Sequence, residues 1–467
     1  MAATSTGGGF EPDTVDPGTA GYWRSPWPGE DAGPRRRQAP HGAQGLSIAD
    51  GQRLEVTSRD ALGATMVILR EPGEVYVLRH TMASNIFEDP VVGWVERIDP
   101  HTLEVLERSP DLPAGPFWPG GLAAHANGSL YTVFGRWCHR LAPDCSVITR
   151  RELPAPRPYN SFVILADGTI AAKDLDRKGV SQGARLTLLD PDRLEPRCAE
   201  VQVPERSIAR LSSDGNTIYV VGVSATYRYN WDPAAAELRR DESWSFRYGP
   251  RPDKSFGWDP VIDGGQMWFL DNGDHTYTTS MLHAGVAPGP IQLLRVSLTD
   301  AADHDAVDIC GQPHGSATNP PLFDPQRRIA LGYDSANGVL AAWRLGSGSL
   351  EPLWQREYAT ATHMIRYPDT GEVVINDFHD GLPTMRSHRL RRLTMRGAGR
   401  LLSNPRMRAA ASRRCTDHVV VIDIESGQER ARAAVPSMTQ GVLFPAVGWG
   451  RDFYYPTLTA LARLTVV

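Results

Sequence analysis

The sequence predicts an all-β fold, a seven- or eight-bladed β-propeller, and three observations lead to it. A two-strand hairpin unit recurs eight times, each hairpin is followed by two further strands of mixed polarity, and no long stretch has helical periodicity. Units of four strands repeating roughly every 40 to 60 residues are the signature of propeller blades.

The hairpins begin at Thr65, Gly120, Asn160, Ser207, Asp259, Asn319, His363 and Gln440. A typical one reads N-S-F-V-I-L-A-D-G-T-I-A-A-K from Asn160. Glycines at 73, 128, 168, 215, 265, 371 and 450 mark the turns, and D-G or N-G between apolar runs is the strongest short hairpin signal. Third and fourth strands follow, as in R-L-T-L-L-D-P and then A-E-V-Q-V. The last unit supplies three strands before the chain stops: 442–444, 452–458 and 461–466. The segment Arg53 to Arg59, R-L-E-V-T-S-R, is expected to add the fourth and so close the ring, covering its edges.

Residues 1–45 are rich in Gly, Pro and polar residues, with an R-R-R run at Arg35 to Arg37, and read as a loosely ordered leader. Tyr22, Trp23 and Trp27 suggest that part of it docks on the body. Residues 46–467 read as one propeller domain, interrupted at 382–414 by an insertion with ten arginines and no acid. That insertion is expected to be a solvated blade loop, with a substrate-covering basic lid as the alternative.

The chain has 467 residues, 49 Lys+Arg against 54 Asp+Glu, and a net charge of -5. No global basic field draws it to nucleic acid or anionic membrane, so neither is an expected partner. The N-terminal residues lack a basic n-region and an apolar h-region, and no window has the apolar length of a membrane span. Five scattered cysteines, 138, 145, 198, 310 and 415, have neither C-x-x-C spacing nor an even count, so a cytoplasmic setting is expected. Only three lysines occur, 173, 178 and 254, which fits a biased genome.

In a propeller, the starts of the innermost strands and the loops between second and third strands converge on one channel mouth. Counting from the turn glycines puts Thr65, Gly120, Asn160, Ser207, Asp259, Asn319, His363 and Gln440 on a ring there. Asp174, Asp271 and Asp377, with Asp334, fall in the adjoining loops, near Asp176, Asp274, His275, His379 and Asp380. Oxygen and imidazole ligands suit Ca²⁺, Mg²⁺ or Mn²⁺, and a His-rich subset admits Zn²⁺ or Fe²⁺. The expected metal ligands are Asn160, Asp259, Asn319 and His363; Asp174, Asp271 or Asp377 is the candidate general base. The competing explanation is a hydrated polar channel whose Asp residues serve as turn formers. His314 reads as a loop histidine, and Tyr159 and Trp258 as packing between blades.

The eight units resemble the broad superfamily of quinoprotein-dehydrogenase-like and YVTN-type propellers. The ring resembles in logic that of gluconolactonase-like propellers, where Asn and carboxylates at strand starts hold the metal. The A-x-D-x-x-T-G-x-x-x-W repeat of the quinoproteins is absent, and gluconolactonase-like propellers have six blades. The leading expectation is a propeller that binds a polar small molecule at the channel mouth and acts on it with a divalent metal, as a hydrolase, lyase or isomerase. The alternatives are a noncatalytic protein-binding scaffold and a quinone- or copper-dependent oxidoreductase. No P-loop, dinucleotide fingerprint, G-x-S-x-G or H-E-x-x-H motif is present.

Overall fold

The computed structural model describes residues 17–42, 45–81, 90–116, 120–175, 183–277, 279–379, 404, 406 and 415–467. Apolar strands of four to eight residues bounded by turn residues cannot bury both faces alone, so they pair into small antiparallel sheets that stack face to face. Eight such sheets form, which settles the blade count at eight.

Each blade runs from an innermost strand at the channel to an outer strand at the rim. Blade 1 comprises Ala64–Leu69, Val75–His80, Pro90–Ile98 and Val105–Arg108, with Leu112–Pro116 added against its third strand. The innermost strands of blades 2 to 7 are Gly121–Ala124, Tyr159–Ile164, Ser212–Asp214, Val261–Asp263, Leu322–Asp324 and Ile365–Arg366. Blade 8 has the order Leu54–Asp60, Ala460–Val466, Asp452–Pro456, Ala446–Val447 from rim to channel. Leu54 pairs Val466 and Asp60 pairs Ala460, so the expected closure by an upstream strand is present. Its innermost strand is Ala446–Val447, not the expected 442–444; Phe444 instead donates and accepts main-chain bonds with blade 1.

Burial follows position in the blade. Ala64–Leu69 and Leu130–Phe134 are buried at every residue, because both faces meet a neighbouring blade, whereas the rim strand Val147–Glu152 leaves alternate residues exposed. Between blades 5 and 6, Trp268 stacks on Phe323 with ring centroids 4.4 Å apart. The hairpin turn at Gly128 requires φ of 86°, a region that favours glycine.

The leader corrects the sequence reading. Residues 17–42 are not loose: they cross the channel at the end where the innermost strands finish. The inward edges of those strands carry unpaired main-chain groups, which the leader satisfies blade by blade. Leu69 N donates to Trp27 O at 2.8 Å, Ala124 N to Pro28 O at 2.7 Å, Ser213 N to Pro34 O at 2.8 Å, Ile262 N to Arg35 O at 2.9 Å and Arg366 N to Gln38 O at 2.6 Å. Blade 3 donates Ile164 N to the Tyr22 hydroxyl at 3.1 Å, and blade 6 accepts from the Gln38 amide at Pro321 O, 2.7 Å. Trp27, Arg36 and Gln38 are consequently buried. The composition rule failed because the partners are distant in sequence. The arginine-rich insertion at 382–414 lies almost wholly outside the described residues, as do Asp176 and Asp380.

Candidate functional site

Regular pairing starts later than expected in blades 4 to 7, so Ser207, Asp259, Asn319 and His363 sit on the segments that approach the innermost strands. These segments turn their side chains to the leader as well as to neighbouring blades. Glu30 and Asp31 occupy a single 3₁₀ turn, Glu30–Ala32. Asp31, Ala32, Arg36 and Gln38 all have left-handed backbones, φ 53°, 68°, 51° and 54°. Each such non-glycine residue costs on the order of 1–3 kcal/mol and persists only where surroundings impose it. Here Asp31, Arg36 and Gln38 are the residues that reach across the channel.

Arg36 is the hub. Its guanidinium donates to Glu30 Oε1, to Asp31 Oδ2 at 3.1 Å, to Ser161 Oγ at 3.1 Å and to Leu211 O at 2.8 Å. Arg210 of blade 4 donates to Glu30 Oε2 at 3.0 Å, while its main-chain N–H donates to Asp259 Oδ1 at 2.6 Å. Asp259 Oδ2 lies 3.8 Å from Arg210 Nε. His363 Nδ1 is 2.8 Å from Asp31 Oδ1, and its ring lies against Phe444, centroids 3.9 Å apart. The Arg210 guanidinium also lies over Phe444, 4.5 Å from the ring centroid. Burial alone would raise the Asp31 carboxyl, but His363 and Arg36 beside it hold it below the ordinary range.

Two polar atoms in this region are not satisfied. His363 Nε2 is buried without a partner among the described residues. The Tyr333 hydroxyl approaches the Asn319 main chain but makes no well-formed hydrogen bond; burial and the charges of Asp259 and Asp31 raise its pKa far above 10.0. A cleft adjoins the cluster, lined by Tyr22, Glu30, Arg36, Leu122 and Phe162.

The mouth at the inner-strand starts is partly roofed by the long connection of blade 5, between Leu270 and Gln292. It is clipped to Gln440: Met281 N donates to Gln440 Oε1 at 2.6 Å, Tyr277 Oη to Gln440 O at 2.8 Å, and Gln440 N to Thr279 O at 2.8 Å. Met281, Ala284 and Tyr277 pack on Ala361 and Val442, which each stand two residues before His363 and Phe444. Asp274 and His275 belong to this connection; His275 Nδ1 accepts from Tyr277 N at 3.1 Å.

The expected general bases do not converge. Asp174 and Asp377 end the second strands of blades 3 and 7, Asp271 directly follows that of blade 5, and each closes its own loop. Asp174 Oδ1 accepts from Arg185 N at 2.6 Å and pairs with Arg157 at 2.5 Å. Asp271 accepts from Gln292 N at 2.7 Å and Arg251 at 2.9 Å; burial still raises its carboxyl to about 6. Asp377 accepts from Ala359 N at 2.9 Å and Arg432 at 2.9 Å, and meets the exposed His379 at 2.7 Å. Asp334 likewise accepts from Ser316 N and Asn337 N.

The expected metal ligands are close to the channel but differently engaged. Asp259 faces Arg210, whose guanidinium opposes a cation there. Asn319 donates its amide to Ala361 O and, at 3.2 Å, to Val442 O. His363 commits Nδ1 to Asp31, and the Asn160 side chain lies outside the described residues. Among the described residues, no three of His, Cys, Asp or Glu come together as a metal-binding group. Of the four expected ligands, the three whose side chains are described are each engaged with protein groups.

One carboxyl escaped the sequence reading. Asp417, opening the third strand of blade 7, is fully buried; its Oδ2 accepts from Asn376 at 2.9 Å, Gly441 N at 2.8 Å and Tyr455 Oη at 3.0 Å. Its Oδ1 has no partner among the described residues, and burial pushes its pKa up to about 7.

No protein-family model matches the chain, and no curated protein does. Among solved structures it is similar to a quinohemoprotein alcohol dehydrogenase of Pseudomonas putida, with 9% identity and TM-score 0.56, covering 96% of this chain and 80% of that one. It is also similar to apo AztD of Citrobacter koseri, with 11% identity, TM-score 0.44, and coverage of 83% and 96%. A candidate 6-phosphogluconolactonase of Bacteroides fragilis follows, with 12% identity, TM-score 0.45, and coverage of 82% and 88%. At these identities the likeness shows the propeller fold and nothing finer.

Proposed function

We propose that the protein is a small-molecule-binding propeller that takes a small polar ligand in its channel, between the leader and the blade 5 connection. One observation carries the reading: amid a cluster whose carboxylates and guanidiniums are mutually paired, His363 Nε2 and the Tyr333 hydroxyl are buried and lack good partners. Buried polar groups are normally hydrogen-bonded, so two together at a channel centre mark a place for a bound group. Other unsatisfied atoms include Trp268 Nε1 and both His139 ring nitrogens in the blade walls, and Trp27 Nε1 on the leader.

A divalent metal, the expectation from residue types, would have to displace Arg210 from Asp259, and no chemical step is assigned to one here.

The test is a thermal-shift and calorimetric screen of small polar metabolites on the full chain, repeated on His363→Gln and Tyr333→Phe. Ligands that raise the melting temperature of the parent but not of either variant are the expected outcome. Hits that stabilise all three proteins equally would place binding elsewhere.

A further inference from the structure

We infer that His363, positioned by Asp31, accepts a proton or hydrogen bond from a small uncharged hydroxyl compound in the channel; this rests on the ligand-binding reading above. The Arg36 guanidinium donates to Asp31 Oδ2 at 3.1 Å, which favours the ionised carboxylate, and an ionised carboxylate only accepts. The proton between Asp31 Oδ1 and His363 Nδ1, 2.8 Å apart, is therefore on the nitrogen. In a neutral imidazole the other nitrogen then carries the lone pair. That nitrogen, Nε2, is the atom left buried and unpartnered, on a ring whose plane is set by Phe444. A carboxylate that fixes the tautomer, with the far nitrogen free, is the arrangement of an oriented base.

The charges of the cluster decide the ligand class. Glu30 and Asp31 are paired with Arg36, Arg210 faces Glu30 and Asp259, and Lys173 adds a buried ammonium near Asp259. A charged ligand finds no unpaired counter-ion here, whereas a neutral hydroxyl compound donates to Nε2 and accepts from Tyr333. If the proton transfers fully, the ligand O–H bond breaks and an Nε2–H bond forms. The imidazolium is held by Asp31, and the ligand oxygen keeps the electron pair. Asp31 acts only through His363 and is a positioning residue.

The experiment is ¹⁵N-histidine NMR of the full-length protein at neutral pH, with the His363 signals identified by their loss in His363→Gln. Should that variant fail to fold, Asp31→Asn identifies them by their shift. The expected result is a protonated Nδ1 and a bare Nε2 in the parent, with Asp31→Ala giving mixed tautomers. Adding glycerol or D-glucose should move the Nε2 resonance, and glycerate or gluconate should not. An Nε2–H tautomer in the parent, or insensitivity to Asp31→Ala, overturns the inference. A probe that stabilises the protein without moving Nε2 also overturns it while leaving ligand binding intact. Failure of all four probes to bind sinks both.

Discussion

Arg36→Ala is expected to destabilise the docked leader by about 3–5 kcal/mol, the usual cost of leaving buried charges without their partner. The variant strips one guanidinium from Glu30, Asp31, Ser161 Oγ and the Leu211 carbonyl at once. Arg210 and His363 remain to share the two carboxylates, which sets the loss within that range instead of above it. Arg36→Lys should recover little, because a single ammonium cannot address four acceptors in a guanidinium's directions. Limited proteolysis within residues 17–42, alongside urea unfolding, reads the effect. Arg36→Ala with parental protease resistance would mean the ionic hub does not hold the leader.

Asp417→Asn has the next largest expected effect, and it appears in the pH dependence of stability. The folded state raises the Asp417 carboxyl to about 7 and so favours its protonated form. That contribution is fully present below the ordinary carboxyl range near 4, and it is lost as pH rises towards 7 and beyond. The rise from the ordinary carboxyl value to about 7 corresponds to a loss on the order of 4 kcal/mol. Asp271, raised to about 6, adds a loss of the same sign. Asn at 417 cannot ionise, its oxygen can keep the three donors from Asn376, Gly441 and Tyr455, and its amide occupies the unpaired side. The variant should thus equal the parent near pH 4 and exceed it by a few kcal/mol at pH 8. Parallel stability curves between pH 4 and 8 would show that Asp417 is not protonated at neutrality in the parent.

The propeller was legible because its signals are local. D-G and N-G pairs between apolar runs mark half of the hairpins and other Gly or Pro turns the rest, and an incomplete last unit forces a closing strand from upstream, which Leu54–Asp60 provides. His363 and Asn160 stand out for a related reason: a polar residue expected to open an apolar innermost strand has a cost that something must offset. The partner of His363 was not legible. Asp31 meets His363 across 332 positions, and a Pro- and Gly-rich segment carries no periodicity to announce that it fills a channel. Asp174, Asp271 and Asp377 share a register but serve as loop anchors, since each sits at or just past a strand end where a main-chain N–H needs an acceptor. Asp417 gave only the signal of one acid opening T-D-H-V-V-V-I, which cannot be told from an exposed strand end without knowing that Gly441 and Tyr455 cover it.

The claim on which the rest depends is that the channel is closed by its own leader, which brings Asp31 to His363. Hydrogen–deuterium exchange of the full-length protein tests it directly. The amides of Leu69, Ala124, Ser213, Ile262 and Arg366, which donate to leader carbonyls, should exchange as slowly as amides in the buried second strands. Exchange of these five at the rate of exposed loops would contradict a docked leader and, with it, the site built on Asp31.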